Sequence, residues 1–250
     1  MQISVWYADS TQLSKGEEKR LIALLSPPEK QRYHDIKLPR RRNEFLLGRA
    51  MVREQLCSRY GQQAQSWQIK PNDNGKPEIT AGPIRPNFSI SHSKGIVVCT
   101  IAERGPLGID VEYIDPKRDL NTIATEIFNA TEQQWFNQKN RPLKRRRFYQ
   151  LWTLKEAWAK ATGVGIGAIL RGADLMQTGA PPQGFSEETS AFFCSDNSGE
   201  ILNYWLCHFI LSKDFVCGIA LHRNSEDPPK KLTIYNYMIK KFQRGLKPLS

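Results

Sequence analysis

Long apolar runs are missing from this 250-residue chain: none approaches the roughly 18 residues that a membrane-crossing helix requires. The opening stretch Met1-Gln-Ile-Ser-Val-Trp-Tyr-Ala-Asp9 has no basic start with an apolar run behind it. No secretory signal is expected, and cytoplasmic residence is the default. Cysteine is sparse. Its five copies, at 57, 99, 194, 207 and 217, are odd in number and include no C-x-x-C pair, so neither a disulfide framework nor a zinc site is suggested. Cys99, Cys207 and Cys217 sit in apolar, strand-like surroundings and read as small buried hydrophobes. P-loop, G-x-S-x-G and H-E-x-x-H patterns are absent, and Gly163-x-Gly-x-Gly167 follows a helix where a dinucleotide fingerprint would follow a strand. Acidic residues are the scarcer sign, with 25 Asp and Glu against 36 Lys and Arg, a formal charge of +11. Such a field draws nucleic acid, anionic membrane, a phosphorylated cofactor or an acidic protein, and does not choose among them.

A hydrophobic content of 40% and an aromatic content of 10% describe a folded globular chain, long enough for one large domain or two small ones. Alternation predicts strands over residues 1–8, 88–93, 95–102 and 108–114, and a returning hairpin over 203–208 and 215–222. Apolar spacing predicts helices over 45–60, ending at Gly61, and over 120–128, 131–138 and 145–162, with Asn129 or Thr131 as an N-cap. Pro27-Pro28 and Pro39 read as breaks, residues 179–199 as loop, and 226–250 as a basic, weakly packed extension. An internal echo links Ser93-Lys94 and Val98-Cys-Thr-Ile-Ala102 to Ser212-Lys213 and Val216-Cys-Gly-Ile-Ala220. It is expected if two similar halves arose by duplication.

Chemistry concentrates in two segments. In Gly108-Ile-Asp-Val-Glu112, strand alternation sends Ile109 and Val111 to one face and Asp110 and Glu112 to the other. Alone, that pair reads as two solvated carboxylates. In Trp152-Thr-Leu-Lys-Glu-Ala-Trp-Ala-Lys160, Glu156 and Lys160 are helical neighbours at i and i+4, alone an ordinary surface ion pair. Leu151, Leu154, Trp158 and Ala161 form the core stripe of that helix, so Trp152, Glu156 and Lys160 line a second, half-covered face. Three converging acids with a lysine beside them make an all-oxygen site suited to Mg²⁺ and a polyphosphate. Lys76 in the turn Asn72-Asp-Asn-Gly-Lys-Pro77, and His92 in Ser91-His92-Ser93, are candidates for gripping phosphate; backbone N–H groups of that turn could assist. The cations Lys30, Arg32, Lys37, Arg40, Arg41, Arg42, Arg49 and Arg53 are too dense for a merely solvated face, and arginine's fork suits a phosphate monoester.

Taken in order, Asn74-Gly-Lys-Pro77, Phe88-Ser-Ile-Ser-His-Ser93, Gly108-Ile-Asp-Val-Glu112 and Trp152 to Lys160 resemble the Sfp-type 4′-phosphopantetheinyl transferases over roughly residues 1–222. The resemblance implies an α+β fold of two similar α/β halves about a pseudo-twofold axis, with the active site in the cleft between them. Residues 1–106 would be the nucleotide-binding half, 107–225 the half carrying the metal site and catalytic helix, and 226–250 the extension. It implies transfer of phosphopantetheine from coenzyme A to a serine of an acidic acyl or peptidyl carrier protein, by a monomer, without nucleic acid or membrane as partner. Asp110, Glu112 and Glu156 would hold Mg²⁺ or Mn²⁺, and Lys160 would neutralise growing phosphate charge. Lys76, Ser91 and His92 would bind the nucleotide end, with Lys30, Arg32 and Arg42 near its 3′-phosphate. Glu132 and Glu156 are rival acceptors of the serine proton, and a metal-bound water is a third. Outside the resemblance, a basic nucleic-acid-binding protein or a Mg²⁺-dependent nucleotide hydrolase would use the same charges.

Overall fold

The computed structural model describes residues 2–61, 63–138, 141–163, 173–177, 190–196, 201–222 and 231–238. The chain divides into two compact units, one made of Gln2–Arg104 with residues from Leu232 onward, the other of Gly105–Lys231. No helix among the described residues is long and apolar enough to cross a membrane.

The first unit opens with β1 (Gln2–Asp9), followed by three helices: α1 (Lys15–Leu24), α2 (Pro27–Asp35) and α3 (Pro39–Tyr60). The prolines expected as breaks in fact start α2 and α3. A proline in the first helical turn gives up an N–H that would have no partner there, and its fixed φ is already helical. Helix α3 therefore begins six residues earlier than apolar spacing suggests, and it ends at Gly61, whose φ of 67° is left-handed. After β2 (Gln68–Pro71) and β3 (Pro77–Ala81) comes the hairpin β4 (Asn87–Ser93) and β5 (Ile96–Ala102). α3 packs against that hairpin with Gly48 facing Ile90, where a Cβ would come within 2.9 Å of the Ile90 side chain. Trp6, Leu21, Leu46, Leu47, Met51, Trp67, Val97 and Cys99 form the core of this unit.

The second unit begins with β6 (Leu107–Tyr113), then α4 (Leu120–Ile127), α5 (Ala130–Asn137) and the long α6 (Arg141–Thr162). Strands β7 (Ala173–Gln177), β8 (Ser190–Asp196), β9 (Ile201–Ser212) and β10 (Phe215–His222) complete an antiparallel sheet in the order β6-β10-β9-β8-β7. Part of the stretch expected as loop is thus strand β8, while residues 164–167 of the glycine run lie outside the described residues. Helix α6 packs on β6 and β10 around Phe128, Phe136, Phe148, Leu151, Leu154, Trp158 and Leu206. Burying each such side chain contributes about 1.5–3 kcal/mol.

The chain then returns as β11 (Lys231–Asn236), which pairs with β1 and gives the first sheet the order β11-β1-β5-β4. The supposed extension is therefore partly built into the first unit. Tyr235 stacks on Trp6 at 5.8 Å, and the Tyr237 hydroxyl donates to Glu54 at 2.6 Å. In both units the echoed segments are the tip and second strand of a β-hairpin, β4–β5 and β9–β10.

Candidate active site

In the second unit, small residues decide how close the acids come. A Cβ at Gly108 would lie 1.8 Å from the Ala157 carbonyl oxygen, and one at Gly218 would lie 2.5 Å from that of Thr153. Helix α6 thus rests directly on the backbone of β6 and β10. Gly218 is the register partner of Asp110. By strand alternation, Gly108, Asp110 and Glu112 share the face that α6 covers. This corrects the reading of Asp110 as a solvated strand acid: it is only 4% exposed. Lys160 donates to its Oδ1 at 2.7 Å and to the Ile109 carbonyl at 3.2 Å. Trp152, stacked on Phe148, donates its indole N–H to Glu112 Oε1 at 3.3 Å. The aromatic core thereby helps to orient the second acid.

Glu156 completes the group, half-buried on the same helix face as Trp152 and Lys160. Burial and the Asp110 carboxylate push its carboxyl up to about 7, with Glu112 adding to the rise and Lys160 opposing it. Glu156 therefore senses the charge of both other acids. As they stand, no three acidic, histidine or cysteine side chains among the described residues are set to enclose an ion. The donors nonetheless fit a hard cation in kind: all are carboxylate oxygens, and their mutual repulsion is what a divalent charge relieves.

Glu132 is placed differently. It is fully buried, its Oε2 lies 2.9 Å from the ammonium of Lys155, itself 1% exposed, and it forms a capping box with Asn129 at the start of α5. A carboxylate so enclosed anchors a helix end. Lys155 was not singled out from the sequence, because nothing local shows that it turns inward.

The nucleotide-end candidates lie in the first unit. The carbonyl and side-chain oxygens of Asn72 accept from the backbone N–H groups of Asn74, Gly75 and Lys76, at 2.8–3.0 Å. Those N–H groups are thus already engaged by the turn, which leaves the Lys76 ammonium as its candidate group for phosphate. Burial lowers the pKa of that ammonium, with Glu78 opposing. Ser91 and His92 are adjacent in β4 and so point to opposite faces. His92 lies on the α3 side, where Arg41 Nη1 donates to its Nδ1 at 2.9 Å. Among the basic residues, Arg53 is fully buried and binds Glu29 at 2.7 Å and the carbonyls of Ala64 and Trp67, so it is part of the core. Arg49 is mostly buried beside Glu29, and burial lowers its pKa to about 10. Arg32 and Arg49 both sit over the Phe45 ring, at 5.6 and 5.5 Å, and Arg42 over Tyr33 at 5.6 Å. Lys30 is half-buried in α2 and Arg32 is exposed. Sequence reading passed over Glu44, a buried acid among these cations. Its i+4 and i+3 spacing from Arg40 and Arg41 becomes a signal only in a helix that starts at Pro39.

A model of the 4′-phosphopantetheinyl transferase superfamily matches residues 106–220, which carry all three acids and Lys160. The chain is 30% identical over 154 residues to the 4′-phosphopantetheinyl transferase HetI of Nostoc sp., spanning 60% of this chain and 64% of that protein. It is 30% identical over 158 residues to a 4′-phosphopantetheinyl transferase of Bacillus subtilis, spanning 63% of this chain and 69% of the relative. The 4′-phosphopantetheinyl transferase Sfp of Bacillus subtilis strain 168 is 29% identical over a similar span. With the acid pair on β6 and the Glu–Lys pair on α6 inside the matched segment, the chain belongs to the 4′-phosphopantetheinyl transferase superfamily.

Proposed function

We propose that the protein transfers the 4′-phosphopantetheine arm of coenzyme A to a serine of an apo carrier protein. The observation that carries this reading is the packing of α6 on β6, which sets Glu156 and Lys160 beside Asp110 and Glu112. Asp110, Glu112 and Glu156 would hold Mg²⁺, which when bound supplies positive charge to the diphosphate. In the reaction a serine Oγ–P bond forms and the diphosphate P–O bond breaks. Adenosine 3′,5′-bisphosphate leaves with that oxygen and its electron pair. Lys160, already an N–H donor to Asp110, would neutralise charge growing on the phosphate oxygens. We assign the serine proton to Glu156, because Glu132 is sealed in its ion pair with Lys155. In the first unit, Lys76, His92 and the exposed cations of α2 and α3 would bind the nucleotide end. The net charge of +11 suits an acidic carrier. The recurrence in both units of a 22-residue helix packed on an antiparallel sheet supports duplication of an ancestral half.

Incubation with coenzyme A, Mg²⁺ and an apo carrier, followed by mass spectrometry of the carrier, tests this. A mass gain of one phosphopantetheine arm supports the transfer. If several carriers remain unmodified while the protein hydrolyses coenzyme A or binds nucleic acid, the reading is wrong.

A further inference from the structure

Glu44 is a carboxylate only 2% exposed on a strongly basic face of the first unit. Burying such a group without compensation would cost several kcal/mol, so its partners define its role. They come from three places. The backbone N–H of Gly95, in the β4–β5 turn, donates to Oε1 at 3.0 Å. Arg40 and Arg41, in the first turn of α3, approach at 3.6 and 3.5 Å. His92 Nδ1, from β4, lies 3.4 Å from Oε2. The turn is itself demanding, with left-handed backbone at both Lys94 (φ 48°) and Gly95 (φ 96°), and Gly95 also accepts from the Ser10 N–H at 2.8 Å.

We propose that Glu44 is a positioning residue for the site that receives the nucleotide end of coenzyme A, holding Arg41, and through it His92, in the arrangement that binds its phosphate. This rests on the transferase reading. An arginine can only donate and a carboxylate can only accept. With His92 Nδ1 accepting from Arg41, the Glu44 carboxylate therefore holds the ring through Arg41 and not directly, and the ring proton on Nε2 is a donor suited to a phosphate oxygen. An arginine already held by a carboxylate loses less side-chain freedom when an anion arrives. One buried acid thus ties the helix carrying the cations to the strand carrying the imidazole.

The test compares wild type with Glu44→Gln and Glu44→Ala in calorimetric titration with adenosine 3′,5′-bisphosphate, alongside KM for coenzyme A, kcat and Tm. Gln can keep the Gly95 contact and loses the charge, so Glu44→Gln should fold with a near-native Tm. Its nucleotide Kd and its KM for coenzyme A should rise about tenfold, with kcat changed less than about twofold. In an Arg41→Ala, His92→Ala background the same substitution should have little further effect on Kd. Nucleotide affinity unchanged in folded Glu44→Gln, or an equal loss in that background, would overturn the proposal and leave Glu44 as a clip for the turn. If wild-type protein fails to bind the nucleotide at all, the transferase reading itself fails.

Discussion

Half-buried beside two other acids, the Glu156 carboxylate is an unfavourable charge that Lys160 only partly offsets. Glu156→Gln should therefore raise Tm in metal-free buffer at pH 8, where the wild-type group is ionised, and reduce transfer at least about 100-fold. Added Mg²⁺ should raise the Tm of wild type and leave the variant unmoved; equal shifts in both would remove Glu156 from the ligand set. His208, on β9, titrates in the opposite sense. Burial, aided by Arg146, lowers its pKa to about 4 from an ordinary value of 6.5. Between those values the unfolded chain binds a proton that the folded chain refuses. The stability linked to His208 is therefore complete above pH 6.5 and lost as pH falls towards 4, by up to about 1.4 kcal/mol per pH unit. Denaturant melts of wild type and His208→Gln over that range should diverge; parallel curves would show that His208 is protonated in the fold. At this scale the acids and Lys160 were legible, because a strand's period of two and a helix's i,i+4 spacing are local facts. The burial of Asp110 and the sealing of Glu132 were not, because what covers a side chain comes from elsewhere in the chain.

Between α6 and its sheet, the separation is set by Gly108 and Gly218, and the chemistry of β6 depends on that separation. Gly218→Ala places a methyl group against the Thr153 backbone, which cannot rotate away as a side chain can. We expect a loss of about 3 kcal/mol in stability and displacement of Glu156 and Lys160 from Asp110. Activity should then fall even in the fraction that remains folded, and a variant with native Tm and full transfer would contradict the packing. The helices over 120–128, 131–138 and 145–162 were readable to within a few residues, and Asn129 caps the middle one as its side chain suggested. Helix starts at Pro27 and Pro39 were not, because a proline signals both the end of one element and the start of the next. Strand β8, Ser190–Asp196, was hidden in a stretch whose polar and small residues resemble loop.

Over the whole molecule, 11 surplus positive charges should steer an acidic carrier, so kcat/KM for the carrier should fall roughly tenfold between about 20 and 300 mM salt. The KM for coenzyme A, a small ligand held by close contacts, should move less; equal sensitivity of both would locate the salt effect in the nucleotide site. Composition showed that charge at once, yet the division into units crosses the sequence in a way composition cannot reveal. Removing residues 226–250 takes away β11 and the Tyr237–Glu54 bond, so the truncated chain should lose several degrees of Tm and much of its soluble yield. The pairing of β1 with β11 also has a temporal side. During synthesis, all of Gly105–Lys231 has been made before the partner that completes the first sheet is finished. A nascent chain therefore passes through a stage in which the later-made unit can close while β1, made first, still presents a bare edge. Chaperone demand and mispairing between neighbouring nascent chains should concentrate in that interval.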